Sequence, residues 1–162
     1  MMPTCERCEA AVEESAGGFC PDCGVVLNLA FIADEARPFR DFMVSELTNL
    51  GYRVEVFSND EGLLDRIRRE RPALLLANVY LRGMLGVELC ETIRAIPDLG
   101  TRVLLIGAIV RADRFRSRPE SHYGADGYLE EGLSAENFVT IVRKAAGRAL
   151  PGAADGKDPG AR

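Results

Sequence analysis

The sequence contains no apolar stretch that is long enough to cross a membrane. Its longest apolar runs, residues 29–33 and 73–77, are far shorter than the roughly 20 residues that a membrane-spanning helix needs. The N-terminus also lacks the basic and then apolar pattern of a secretory signal. We therefore expect a cytoplasmic protein that does not insert into a membrane.

The sequence also has no excess of basic residues. The chain has 20 Lys and Arg residues against 25 Asp and Glu residues, which gives a net charge of −5. Nucleic-acid binding depends on neutralising phosphates with Lys and Arg, so nucleic acid is not an expected partner. Hydrophobic residues make up 47% and charged residues 28% of the 162 residues, which is typical of one soluble domain with a small appendage.

Cysteine is scarce outside the N-terminal region, where four of the five cysteines form two Cys-x-x-Cys pairs. These four are Cys5, Cys8, Cys20 and Cys23. Cytosolic proteins rarely keep disulfides, so this clustering indicates a metal site. Four thiolates suit tetrahedral zinc, which stabilises small folds. The segment also resembles the short zinc ribbons, which carry a Phe before the third cysteine and a Gly after the fourth, as Phe19 and Gly24 do here.

Two other interpretations of the cysteines are an iron site of rubredoxin type and a redox pair at Cys20 and Cys23. The redox pair is disfavoured because Gly24 follows it, where a reactive pair normally opens a helix. No open ligand position is indicated, so the site is not expected to be catalytic. The ribbon carries five acidic residues against Arg7 alone, which favours a protein partner over nucleic acid.

The rest of the chain alternates between short apolar runs and amphipathic segments. Strands are predicted at residues 27–32, 52–57, 74–79, 103–106 and 128–129. Helices are predicted at residues 39–50 and 87–96. Two further helices are predicted to begin at a capping box at 58–61 and after residue 134. This alternation predicts an α/β fold with a doubly wound, five-stranded parallel sheet. The predicted organisation is a zinc ribbon at 1–25, the α/β domain at 26–148 and a disordered tail at 149–162, which is rich in Gly, Pro and Asp.

Residues 27–148 resemble the receiver domain of two-component response regulators, which implies the flavodoxin-like receiver fold. Receivers carry an acid pair after the first strand that binds Mg²⁺, and Asp34 and Glu35 match it. Residues 72–94 resemble the third strand and the following loop and helix, where the phosphoaccepting aspartate ends the strand. Asn78 stands in that place.

Three positions depart from the receiver pattern. A carboxamide at Asn78 is a poor nucleophile and carries no charge to hold Mg²⁺, so phosphorylation of the family type is excluded there and Mg²⁺ is not an expected cofactor. Gly107 replaces the hydroxyl residue that ends strand four, and Glu131 replaces the lysine after strand five. A carboxylate there would repel a phosphoryl group.

Tyr128 matches the aromatic residue that receivers rotate inward after phosphorylation. Since the phosphoryl group and the hydroxyl residue are both missing, the trigger for that rotation is missing too, and a tyrosine packed at a strand edge is an equally good interpretation.

Cys90 has the spacing of a core residue in the third helix. Four arginines crowd an irregular stretch and form either a solvated loop or a docking face for an acidic partner. They are Arg111, Arg114, Arg116 and Arg118.

The sequence therefore predicts a non-enzymatic, phosphorylation-independent signalling adaptor, in which a degenerate receiver and a zinc ribbon both bind other proteins. One alternative is a response regulator that is still phosphorylated, at an unusual acid such as Asp98. A second alternative is a nucleic-acid-binding ribbon tethered to a receiver. The sequence leaves open whether the domain forms a homodimer.

We expect the purified protein to carry one zinc ion per chain, because the four clustered cysteines form a complete ligand set. Elemental analysis checks this, and metal-free protein or protein that holds iron would contradict it. Chelation should unfold the ribbon and leave the α/β domain folded, because metal binding and folding are coupled in such small sites. A global loss of helical circular dichroism on chelation would contradict the predicted division into domains.

Overall fold

Strands and helices alternate throughout the part of the chain that the computed structural model describes, residues 26–35, 37–97, 99–107 and 125–146. The strands are β1 (Val26–Ala33), β2 (Arg53–Phe57), β3 (Pro72–Asn78), β4 (Arg102–Gly107) and β5 (Gly127–Glu130). The helices are α1 (Arg37–Asn49), α2 (Leu63–Glu70), α3 (Gly86–Arg94) and α4 (Ala135–Ala146). The predicted zinc ribbon with its four cysteines, the tail and the arginine cluster at 111–118 lie outside the described residues.

The five strands form one parallel sheet in the order β2-β1-β3-β4-β5, which confirms the predicted sheet. The chain passes from β1 to β2 on one side and then crosses to β3 on the other side of β1. The loops that follow β1 and β3 therefore diverge, and such a point of divergence leaves a crevice at the carboxyl ends of the strands.

Both faces of the sheet are covered by helices, which explains why the central strands consist almost entirely of apolar residues. On one face, Phe31 and Leu75 belong to a buried cluster with residues of α2 and α3, such as Ile67. On the other face, Leu76 belongs to a second cluster with residues of α1 and α4, such as Phe138. Successive residues of a strand point to opposite faces, so each strand contributes to both clusters.

The predicted faces of the helices are largely confirmed. Cys90 and Ile93 of α3 are buried, and Cys90 is part of the core as expected. Burial raises the pKa of the Cys90 thiol to about 11, so the thiol stays protonated and unreactive at neutral pH. At the start of α4, Ser134 Oγ accepts a hydrogen bond from the N–H of Asn137 at 3.2 Å, which confirms Ser134 as the N-cap.

The predicted start of α2 is wrong, because the helix begins at Leu63 and not at the capping box of residues 58–61. Asn59 Oδ1 instead accepts the N–H of Glu61 at 2.9 Å, a local turn that competes with helix formation. The N–H of Asp60 donates to the carbonyl oxygen of Arg82 at 3.1 Å. Residues 58–61 are therefore a turn that is joined to the loop after β3.

No helix among the described residues is long and apolar enough to span a membrane.

Asp126 connects α3, β4 and the start of β5. Its Oδ2 accepts the N–H of Val103 at 2.8 Å, and its own N–H donates to the Val103 carbonyl oxygen at 2.8 Å. Its carboxylate also pairs with Arg94 and, at 3.2 Å, with Arg102. Only 18% of the Asp126 side chain is exposed, so these contacts are less screened than surface ion pairs.

Replacing Asp126 with Ala should lower the free energy of unfolding by about 2 to 3 kcal/mol, because hydrogen bonds to a charged group contribute about 1.5 to 3 kcal/mol. Urea unfolding measures this change. Asp65→Ala is the matched control, since Asp65 is 84% exposed and contacts Arg68 only at 3.7 Å. An equal loss of stability in both variants would contradict the role given to Asp126.

Candidate functional site at the carboxyl ends of the strands

The side chains singled out by the sequence meet where four strands of the sheet end. Asp34 follows β1, Asn78 and Gly107 are the last residues of β3 and β4, and Glu131 follows β5. Because the strands are parallel, these four positions share one edge of the sheet, at the crevice where the loops after β1 and β3 diverge. The fold therefore brings together residues that are up to 97 positions apart in the sequence.

The Asn78 side chain bridges the two acids. Its Nδ2 donates to Asp34 Oδ1 at 3.1 Å and to Glu131 Oε1 at 3.4 Å. Its Oδ1 accepts the N–H of Tyr80 at 2.8 Å. These three contacts fix the orientation of the carboxamide, so that its N–H hydrogens lie between two carboxylates.

Asp34 is fully buried and is anchored through its main chain. Its N–H donates to the carbonyl oxygen of Phe57, the last residue of β2, at 3.0 Å. Its carbonyl oxygen accepts from Arg40 Nη1 at 3.4 Å. Both ends of the residue are therefore held, by β2 and by α1. The contribution of Arg40 was not expected from the sequence, because nothing in the pattern of α1 separates this arginine from other surface arginines.

Glu35, the second member of the acid pair, has a different environment from Asp34. Its side chain is 43% exposed, and Oε1 lies 3.3 Å from Nε of Arg82, in the loop after β3. Exposed pairs of this kind contribute about 0 to 1 kcal/mol, so the contact adds little stability. It does place a positive charge beside Glu35, which is more exposed than the buried Asp34. Arg82 lies within the segment 72–94 that resembles the receiver family, but no feature of that segment predicts its contact with Glu35.

Glu131 is positioned by the end of β4. Its N–H donates to the carbonyl oxygen of Gly107 at 3.0 Å, and its side chain is half-buried. The next residue, Gly132, has a φ of +86°, a conformation that glycine adopts without strain. The turn at Gly132 lets the chain leave the sheet directly after Glu131, so the carboxylate stays beside Asn78.

Tyr128 points inward and covers Gly107. The tyrosine is 8% exposed and belongs to the buried cluster on the α2 and α3 face. A Cβ atom placed on Gly107 would lie 2.1 Å from the Tyr128 hydroxyl oxygen. Tyr128 lies on β5, the edge strand of the sheet, and its ring packs over the end of β4, so whether it acts as a switch residue stays a prediction.

The side chains present do not fit the magnesium ion that the receiver resemblance implies. Mg²⁺ requires oxygen ligands, whereas Asn78 directs N–H hydrogens toward Asp34 and Glu131 and uses its oxygen for the Tyr80 N–H. Within residues 26–35, 37–97, 99–107 and 125–146, no three Asp, Glu, His or Cys side chains are grouped so that they could hold a metal ion.

Comparison with known proteins identifies the family. The model of the response regulator receiver domain matches residues 30–143. The chain belongs to this family. The receiver domain is 27% identical over 119 residues to the response regulator MprA of Mycobacterium leprae, a match that covers 73% of the chain and 50% of that protein. It is 26% identical over 113 residues to the transcriptional regulatory protein CreB of Escherichia coli, covering 70% and 48%.

The fold agrees with solved receiver structures. A response regulator from Chloroflexus aurantiacus superposes with a TM-score of 0.66 at 23% sequence identity, covering 74% of this chain and 97% of that one. At this identity the likeness concerns the fold alone. The chain spans about half the length of the curated relatives it matches.

Replacing Asn78 with Asp should destabilise the receiver domain, because the variant loses both donated hydrogen bonds and places a third carboxylate beside Asp34 and Glu131. We expect the free energy of unfolding at neutral pH to fall by about 1 to 3 kcal/mol. Urea unfolding with and without millimolar Mg²⁺ measures the loss, and the ion should stabilise the variant more than the wild type.

The double variant Asn78→Asp, Glu131→Gln is the matched control for this experiment. It relieves the added repulsion between like charges, so it should recover part of the lost stability. If Asn78→Asp is as stable as the wild type at low salt and without Mg²⁺, the carboxamide bridge does not stabilise the site.

Proposed function

We propose that this receiver domain is a non-enzymatic, phosphorylation-independent signalling adaptor that acts by binding other proteins. Response-regulator receiver domains are signalling domains that interact with signalling partners. The observation that carries the proposal is the carboxamide of Asn78, which donates hydrogen bonds to Asp34 and Glu131 at the position where the family carries its phosphoaccepting aspartate. A side chain that is bonded in this way is part of the framework of the site and offers no nucleophile.

The neighbouring side chains support the same proposal. In-line phosphoryl transfer needs positive charge and hydrogen-bond donors around the transferring group. Glu131 supplies a carboxylate 3.4 Å from the Asn78 amide nitrogen, and Asp34 supplies another at 3.1 Å. Gly107 has no hydroxyl to donate. A phosphoryl group would meet negative charge on two sides, so neither transfer to this site nor a bound Mg²⁺ is part of the proposal.

We propose that residues 1–25 form the second protein-binding module, a zinc ribbon held by the four N-terminal cysteines. Loss of zinc in Cys8→Ser is the direct test, and Cys90→Ala is the matched control because Cys90 is buried in the core of the receiver domain. A cytoplasmic location and the possibility of a homodimer remain predictions from the sequence. The partners of the ribbon and of the receiver domain are protein partners in this proposal.

A phosphodonor should leave the mass of the protein unchanged. We expect no added phosphoryl group after incubation with acetyl phosphate and Mg²⁺, because Asn78 cannot form an acyl phosphate. Intact-mass spectrometry measures this, beside a receiver domain that carries aspartate at the matching position as a positive control for the donor. A gain of one phosphoryl group would support the alternative of phosphorylation at an unusual acid, and peptide mapping would identify that acid.

Restoring the aspartate alone should give little phosphorylation. In Asn78→Asp, Gly107 still lacks a hydroxyl and Glu131 still repels the phosphoryl group. The triple variant Asn78→Asp, Gly107→Thr, Glu131→Lys should accept phosphate much faster than the single variant under the same donor. Equal, rapid labelling of both variants would show that Gly107 and Glu131 do not limit the chemistry.

A further inference from the structure

Tyr128 and Gly107 lie on neighbouring strands and occupy one shared space. In the parallel pairing of β4 with β5, Tyr128 is the partner of Leu105, two residues before Gly107. Leu105 and Gly107 are two positions apart on one strand, so a side chain at 107 would point to the same face as Leu105. The tyrosine ring also lies on that face and extends toward the carboxyl end of the sheet, over Gly107.

The overlap between the ring and a side chain at 107 is severe. A Cβ atom on Gly107 would lie 2.1 Å from Oη, 3.1 Å from Cζ and 3.4 Å from Cε2 of Tyr128. The first distance is far inside van der Waals contact. With a Cβ at 107, the Tyr128 ring could not keep its observed position unless the ring or the strand shifted.

The main chain at Gly107 cannot move aside easily. Its carbonyl oxygen accepts the N–H of Glu131 at 3.0 Å, and both neighbouring strands pair with the end of β4. The clashing atom of Tyr128, by contrast, is the far end of a side chain with two rotatable bonds. Any residue with a Cβ at 107 should therefore displace the ring and leave the sheet in place.

We propose that Gly107 and Tyr128 form a lock, in which the missing side chain at 107 lets the tyrosine ring stay buried without any bound ligand. A buried aromatic ring is favoured by the apolar surface it removes from water, and nothing at 107 opposes that burial. The lock favours the buried ring at the ends of β4 and β5. It deepens the proposed function, because a domain that is not phosphorylated must present its binding surface without a trigger.

The test follows the solvent accessibility of the tyrosine rings in the full chain. The four tyrosines are labelled with ¹³C at the ring ε carbons and assigned by single Tyr→Phe substitutions. A soluble gadolinium chelate then broadens exposed rings. Tyr52, which is 4% exposed, and Tyr80, which is 56% exposed, are internal references for a protected and an open ring.

We expect Tyr128 to be protected like Tyr52 in the wild type, before and after the addition of acetyl phosphate. In Gly107→Ala and Gly107→Ser, its relaxation enhancement should rise several-fold toward that of Tyr80. Gly127→Ala is the matched control on β5, because its added Cβ would meet Leu104 Cδ2 at 2.7 Å, on the other face of the sheet. This control should leave Tyr128 protected.

Thermal unfolding gives a second measurement that does not depend on the label. Gly107→Ala should lower the midpoint in the wild type and lower it less in a Tyr128→Phe background, since removal of the hydroxyl removes the closest contact. A Tyr128 ring that is exposed in the untreated wild type, or that stays protected in both Gly107 variants, would overturn the lock. Phosphorylation of the protein would overturn the proposed function but not a ring that is already protected without a donor.

Discussion

Parallel strands must all end at the same edge of their sheet, and this constraint determines where the site of the receiver domain lies. In the order β2-β1-β3-β4-β5, the chain adds β2 on one side of β1 and all later strands on the other side. The loops after β1 and β3 therefore diverge and leave a crevice. Asp34, Asn78 and Glu131 reach that crevice from strands whose buried faces fix their register. Because both faces of the sheet are covered, a change in register would expose apolar residues, and the core therefore keeps these positions in place.

Within this crevice, the balance of charge depends on a neutral amide. Two carboxylates that face one another in a partly buried crevice repel, and a bound cation or a raised pKa is the usual relief. Asn78 provides another form of relief, since its two N–H hydrogens point to one acid each. These hydrogen bonds are made within the chain and need no ion. The acids of the site are thus bridged by Asn78, a residue that the sequence analysis noted because a carboxamide cannot accept a phosphoryl group.

The parallel sheet and most of the core were predictable because they depend on patterns that extend over many residues. Apolar runs marked the central strands, and the receiver resemblance implied the fold. The start of α2 was not predictable in the same way. The capping pattern at 58–61 was satisfied locally by Asn59, whose side chain accepts the N–H of Glu61, and by the bond from Asp60 to Arg82. Local sequence cannot show which of two local hydrogen-bond patterns a distant loop will favour.

The position of Tyr128 is the clearest case of a property that sequence patterns leave open. An aromatic residue in a short edge strand such as β5 can pack its ring against the sheet or turn it toward solvent, and the pattern of β5 alone does not decide between them. The decision depends on the space above residue 107 of the neighbouring strand, where a Cβ atom would lie 2.1 Å from the tyrosine hydroxyl.

A switch needs two states and a ligand that binds one of them better. If Gly107 lets the ring stay buried without a ligand and Asn78 removes the attachment point of the ligand, the two substitutions have the same consequence for regulation. A chain with only one of the two substitutions would keep part of a switch that could not operate. Their joint presence in one chain is therefore physically consistent.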